Sequence, residues 1–143
     1  MRKVILFLGI FFLVYKIYPI DITGFGGIKT DSWEKLYGVA VAWDFFPFIQ
    51  LELEGFRLKS NSQNHISANP LLSIDLSSIT PYITVGYGFS GERGDISEYK
   101  GFKNYGAGIK LFMGIIGIRI DYRVIKSSSF NWKRIYGGLD ISI

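Results

Sequence analysis

From residue 21 onward the chain alternates large apolar residues with small or polar ones and holds no helical period for long. Successive side chains of a strand point to opposite faces, so alternation of this kind predicts two-faced strands. Tyr37, Val39, Val41, Trp43 and Phe45 stand against Gly38, Ala40, Ala42 and Asp44. Ile49, Leu51 and Leu53 oppose Gln50, Glu52 and Glu54, and Leu72, Ile74 and Leu76 oppose Ser73, Asp75 and Ser77. Ile83, Val85, Tyr87 and Phe89 face away from Tyr82, Thr84, Gly86 and Gly88. Tyr105, Ala107, Ile109 and Leu111 oppose Asn104, Gly106, Gly108 and Lys110. Ile116 through Val124 alternates with Gly117, Arg119, Asp121 and Arg123. Ile135, Leu139, Ile141 and Ile143 alternate with Arg134, Tyr136, Gly138, Asp140 and Ser142. These are seven strands. An eighth fits residues 20–29, where Gly24, Gly26 and Gly27 blur the pattern.

The connections alternate in length. Those near Phe46–Pro47, Ser77–Ile79 and Met113–Gly114 are tight, whereas Lys29–Lys35, Lys59–Gln63, Ser90–Lys100 and Lys126–Ser129 are longer and polar. An up-and-down meander has this form when one end carries turns and the other loops, and eight strands place both termini at the turn end. The expected fold is all-β: an eight-stranded antiparallel barrel over residues 21–143.

The charges choose between a soluble and a transmembrane barrel. A soluble barrel turns its apolar face inward, and a membrane barrel turns it outward. One face here is almost wholly Leu, Ile, Val, Tyr, Trp and Phe. The other mixes Gly, Ala and Ser with Asp44, Glu52, Glu54, Asp75, Lys110, Arg119, Asp121, Arg123, Arg134 and Asp140. An eight-stranded lumen has room for side chains but not for a water channel. Small residues and a near-balanced set of charges fit such a lumen, because paired charges avoid the several kcal/mol that an unpaired buried charge costs. The transmembrane reading follows, with Trp43, Phe45, Phe89, Tyr122 and Trp132 expected as interfacial aromatics. A soluble, lipocalin-like ligand-binding barrel is the alternative with the faces reversed.

Residues 1–20 supply a reason for such a destination. Arg2 and Lys3 precede an apolar run from Val4 to Val14, closed by Lys16. That is the length of a secretory signal core and well short of the roughly 20 residues of a membrane-spanning helix. The segment is expected to be a signal peptide whose cleavage site the sequence does not place; an uncleaved anchor and a buried element are the alternatives. The chain carries 16 basic and 12 acidic residues, a formal charge of +4. Without Arg2, Lys3 and Lys16 the balance is 13 basic against 12 acidic, or +1, which gives no basic face for nucleic acid. The absence of Cys and the single histidine, His65, rule out disulfides, thiolate metal sites and histidine-cluster metal sites. No metal or cofactor is expected.

The pattern resembles the small eight-stranded outer-membrane β-barrel proteins of Gram-negative-type bacteria. Its most specific piece is Tyr136-Gly-Gly-Leu-Asp-Ile-Ser-Ile143. In that family a closing strand with a glycine, and with hydrophobic residues at the third-last and last positions, is read by the barrel-assembly machinery. Gly138, Ile141 and Ile143 match, with Ile where the family most often has Phe. Tyr82-Ile-Thr-Val-Gly-Tyr-Gly-Phe89 is also family-like. The resemblance implies residence in the bacterial outer membrane among its lipids, escort by periplasmic chaperones and insertion by the assembly machinery. Ser90–Lys100, the longest loop, is the candidate for any external ligand or surface partner.

One motif suggests an enzyme. His65-Ile-Ser67 places an imidazole and a hydroxyl on one strand face, as in the outer-membrane lipid A deacylases, which pair His-x-Ser with a carboxylate as a hydrolase triad. That family carries its pair late in the chain, and here it comes before the midpoint. Parity turns Ser67 toward the lumen, and no Glu follows at the family's spacing, leaving Asp75 and Asp44 as substitutes. Glu52 and Glu54, two residues apart, read better as partners of Arg119, Arg123 or Arg134 than as a catalytic pair. Gly24-x-Gly26-Gly27 lacks the helix and Lys of a phosphate cradle. The expected role is non-enzymatic: structural, or interactive at the cell surface.

Overall fold

The computed structural model describes residues 20–60, 63–92 and 99–143. The strands are β1 (Ile20–Lys29), β2 (Glu34–Phe46), β3 (Ile49–Leu58), β4 (Gln63–Ser73), β5 (Ile79–Glu92), β6 (Lys100–Met113), β7 (Ile116–Lys126) and β8 (Asn131–Ser142). Each pairs antiparallel with its neighbour in sequence, and β1 pairs with β8 to close the barrel. The expected leader lies outside the described residues except for Ile20, which opens β1; so does the centre of the loop between β5 and β6.

Three short turns join β2 to β3, β4 to β5 and β6 to β7 at one end. In the last of them Gly114 has φ +70°, a backbone conformation that a side chain disfavours. At the same end Ile20 and Ile143 exchange backbone hydrogen bonds of 3.0 Å in both directions. The other connections lie at the opposite end; the β4–β5 link, five residues between its strands, is tightened to a two-residue turn by the Leu76–Ile79 bridge. A register shift between Asp44 and Phe46 marks a bulge in β2 beside its turn. The β4–β5 ladder is interrupted between Ala68–Tyr87 and Leu71–Thr84, where Pro70 has no N–H to give.

Alternation sorts the residues by face. Burial along β7 runs exposed, buried, exposed from Ile116 to Arg123, and β4 and β8 behave alike. Outside stand Ile83, Val85, Ile118, Ile120 and Leu139, the last 64% exposed. Inside, Arg119, Arg123 and Arg134 are fully buried. Thirty-two large apolar side chains are exposed among the described residues. Soluble monomers rarely expose contiguous apolar patches beyond a few hundred Å², so this exterior suits hydrocarbon rather than water. Strands of 10 to 14 residues meet the roughly 9–11 residues a tilted strand needs to cross a bilayer. The lipocalin-like alternative required the opposite arrangement of faces.

The lumen is narrow enough that several strands admit no side chain at particular points. A Cβ on Gly106 would lie 2.0 Å from the Tyr122 carbonyl oxygen and 2.8 Å from Cγ of Arg123. Gly106→Ala is therefore expected to force β6 away from β7 and cost about 1–3 kcal/mol, read as a lower urea midpoint for unfolding. An unchanged midpoint would mean that the β6–β7 wall is looser than this packing.

Candidate functional site

Because Glu52 and Glu54 are inward positions of β3, and Arg119, Asp121 and Arg123 are inward positions of β7, the two groups meet across the barrel. These strands stand four places apart in the ring of eight, on opposite walls. Arg119 donates through Nη1 to Glu52 at 2.5 Å, through Nε to the Tyr82 hydroxyl at 2.7 Å and through Nη2 to Asp121 at 3.3 Å. Arg123 donates through Nη2 to Glu52 at 2.8 Å and to Asp121 at 3.1 Å. Tyr82 donates to Asp121 at 2.5 Å, and Asn69 donates to Glu52 at 3.3 Å. Two carboxylates thus lie between two guanidinium groups, all four fully buried. Arg134 of β8 is the third arginine of the network, with Nη2 reaching both oxygens of Glu54 at 2.6 and 2.7 Å. Its Nε and Nη1 have no hydrogen-bond partner among the described residues. Its guanidinium instead lies 4.5 Å from the Phe56 ring centroid and 4.9 Å from that of Tyr136, where the negative faces of the rings offset part of the missing bonds.

A second cluster lies nearer the turn end. Lys110 Nζ donates to Asp21 at 3.0 Å and to Gln50 at 3.0 Å. Gln50 donates to Asp44 at 2.7 Å and to Asp21 at 3.3 Å. Thr23 donates to Asp140 through a short hydrogen bond.

Nearer the loops the inner wall becomes apolar. His65 stacks on Phe56 with centroids 4.4 Å apart, and Trp132 meets both edge-on at 6.1 and 5.7 Å. Phe102, Leu36, Leu58 and Ile125 are buried in the same region, and Lys29 lies over Trp132 at 5.3 Å. The lumen is thus salt-bridged at its middle and filled by rings toward the loops, an arrangement that braces the walls.

The structure places Asp44, Glu52, Glu54, Lys110, Arg119, Asp121, Arg123, Arg134 and Asp140 on the inner wall, with Asp44 half-buried near its turn-end rim. Asp75 is a correction. It keeps the inward parity, opposite the buried Thr80 that donates to it at 2.8 Å, but it lies past the end of β4 on the hairpin arm that reaches beyond the barrel rim, exposed and outside the ion-pair network. Trp132 is a second correction. It shares the parity of Arg134 and is 4% exposed inside the barrel, whereas Phe45, Phe89 and Tyr122 do face outward. Sequence reasoning missed Asp21 and the aromatic layer; both follow from extending the inward parity to the strand ends.

His65 and Ser67 both lie on the inner wall, 1% and 3% exposed. The stacked rings surround His65, and neither its Nδ1 nor the Ser67 hydroxyl has a hydrogen-bond partner among the described residues. The nearest inward carboxylate in register is Glu54, directly opposite Ser67, and it is bridged by Arg134. Among the described residues no group of three His, Cys, Asp or Glu is placed to hold a metal ion. Of the C-terminal motif, Ile141 and Ile143 face outward, and Gly138 packs on the inner wall beside Phe25 and Thr23.

No protein family defined by sequence matches the chain, and no curated protein matches it either. Among solved structures it is similar to the N-terminal β-barrel domain of OprF from Pseudomonas aeruginosa. That likeness has a TM-score of 0.75 at 16% identity and covers 87% of this chain and 97% of that one. It is similar to a de novo designed transmembrane β-barrel, at TM-score 0.70 and 16% identity, over 87% of this chain and 95% of the other. The outer membrane enzyme PagL has a TM-score of 0.57 at 16% identity, over 86% of this chain and 98% of its own. The chain has the fold of the small eight-stranded outer-membrane barrels. Identities this low carry the fold and no assignment of sites.

Proposed function

We propose that this protein is a non-enzymatic integral barrel of the bacterial outer membrane, with a structural or surface-interactive role in the cell envelope. The observation that carries the reading is the division of faces: an apolar exterior around a lumen braced by buried ion pairs. A side-chain network reaching from one wall to the opposite one suits a rigid plug and not a conduit. Assembly-machinery insertion and chaperone escort belong to the same reading, with Gly138, Ile141 and Ile143 as the recognition residues. Loop 90–100 is the segment through which a surface partner would be met.

The test is fractionation followed by gel mobility in dodecyl sulfate. The protein is expected in the outer-membrane fraction, and the unboiled sample is expected to migrate apart from the boiled one. A soluble protein with no heat-dependent shift would overturn the assignment. The same fold serves an outer membrane enzyme, so the non-enzymatic part needs its own measurement. Cells with the wild-type protein and with Ser67→Ala should show identical acylation of lipid A. Loss of a deacylated species in the variant would establish a hydrolase using Ser67 and His65.

A further inference from the structure

Every cation on the outer face of the described strands lies toward the loop end: Lys35, Arg57, Lys103, Lys126 and Lys133, with Lys59 just beyond β3. Below this level the exterior is apolar. Lys35 and Lys59 are adjacent across β2 and β3, joined by a 2.9 Å bond from the Lys59 N–H to the Lys35 carbonyl, and like charges so placed repel. Arg57 stands one outward position below Lys59 on the same strand and pairs in register with Tyr37 and Asn64. None of the three makes a salt bridge among the described residues. Glu34, the nearby acid in sequence, accepts the N–H and hydroxyl of Ser60 instead.

Directly below Arg57 the outer wall is hollow. Gly55 forms the floor of a groove of about 470 Å³ whose sides include Tyr37, Val39 and Ile66. The fold does not demand a glycine there. A Cβ at Gly55 would meet only the His65 carbonyl oxygen, at 3.9 Å, unlike the inward Gly38, Gly86 and Gly106, where it would collide with the adjacent strands. An apolar furrow with Arg57 on its rim, and with Lys35 and Lys59 beside Glu34 in the next hollow toward the loops, matches a lipid with a phosphate headgroup above and a hydrocarbon chain below.

We propose that the groove over Gly55 binds one phosphorylated lipid from the leaflet at the loop end. Arg57, Lys35 and Lys59 hold the phosphate, and the floor at Gly55 takes the first segment of an acyl chain. Arg57 supplies a planar fork suited to phosphate oxygens, and Tyr37 and Asn64 flank it with polar groups at headgroup level. The proposal rests on the membrane reading above and names the lipid chemistry that one patch of this exterior selects.

The test uses the protein folded into phosphatidylcholine vesicles containing spin-labelled phosphatidic acid or spin-labelled phosphatidylcholine. The electron spin resonance spectrum reports the fraction of label held motionally restricted against the barrel. Wild type is expected to restrict the phosphatidic acid several-fold more strongly. Arg57→Gln with Lys59→Gln should lower that preference about fivefold or more, on the scale of surface cations near anionic lipid. Gly55→Leu keeps every charge and fills the floor, and it should lower the preference as well. No preference in wild type would overturn the site. A preference lost with the cations but kept in Gly55→Leu would overturn it too, leaving diffuse attraction to lysines. A heat-dependent gel shift from neutral vesicles separates these outcomes from failure of the membrane reading: a barrel that inserts without lipid preference loses the site alone, and one that does not insert loses both.

Discussion

Glu52→Ala is expected to lower the unfolding free energy of the barrel by about 3–5 kcal/mol, the usual cost of removing one partner from a buried ion pair. Glu52 is fully buried and accepts from Arg119 at 2.5 Å and from Arg123 at 2.8 Å. Its loss leaves two guanidinium groups sharing Asp121 and Glu54, with Glu54 already held by Arg134. The measurement is urea unfolding in detergent micelles, followed by the heat-dependent gel shift. Glu52→Gln keeps the side-chain shape and an acceptor oxygen but removes the charge, so it should fall between the variant and wild type. The double variant Glu52→Ala with Arg119→Ala should cost less than the two single changes summed, by about 1–3 kcal/mol, because the partners are in contact. A single-variant effect under about 0.5 kcal/mol, the range of ordinary surface changes, would mean that the lumen is wet and the bridges do not brace the walls.

That the network runs between β3 and β7 was half legible in the sequence. Parity alone puts Glu52, Glu54, Arg119, Asp121 and Arg123 on one face, and the order of an eight-stranded meander puts β3 opposite β7. Which carboxylate meets which arginine depends on stagger along the barrel axis, which alternation does not encode. The same limit explains Asp75. The sequence keeps alternating through Ile74 and Leu76, and the hairpin keeps pairing there, from Ile74 to Pro81 and from Leu76 to Ile79; but β3 accompanies β4 only to Leu72, so Asp75 stands beyond the closed wall, and a two-residue period contains no signal for where a neighbouring strand ends. Asp21 was hidden differently: it stands between the outward Ile20 and Ile22, but Gly24 and Gly26 take the next two outward positions, so the alternation that marks it is too short to be read as a strand. Trp132 shows a conflict between two rules. A tryptophan near a strand end suggests the membrane interface, yet its parity with Arg134 sends it inward, and in a barrel parity is enforced by the ladder whereas a girdle is only a preference. The layer of Phe56, His65, Phe102 and Trp132 is then a consequence of inward positions turning apolar near the loops, where rings can fill the lumen without charges to satisfy.

Val85→Arg is the counterpart on the other face. Val85 lies midway along β5, pairs with Tyr105 and is 61% exposed. In water an exposed valine far from any special feature tolerates replacement within about 0.5 kcal/mol. In a bilayer the same position falls near mid-depth, where an outward arginine costs about 2–4 kcal/mol, falling to about 0–1 near the interfaces. Phe89 faces outward on the same strand, two outward positions nearer the loops, so Phe89→Arg is the internal control. Unfolding from phosphatidylcholine vesicles should show a large loss for Val85→Arg and a small one for Phe89→Arg. The difference between them measures depth, because both changes add the same charge to the same face of the same strand. Equal and small losses would place this face in water and reverse the assignment of inside and outside. Equal and large losses would place Phe89 as deep as Val85, moving the membrane boundary beyond the basic residues Arg57 and Lys103, which the apolar belt leaves on its loop-side edge.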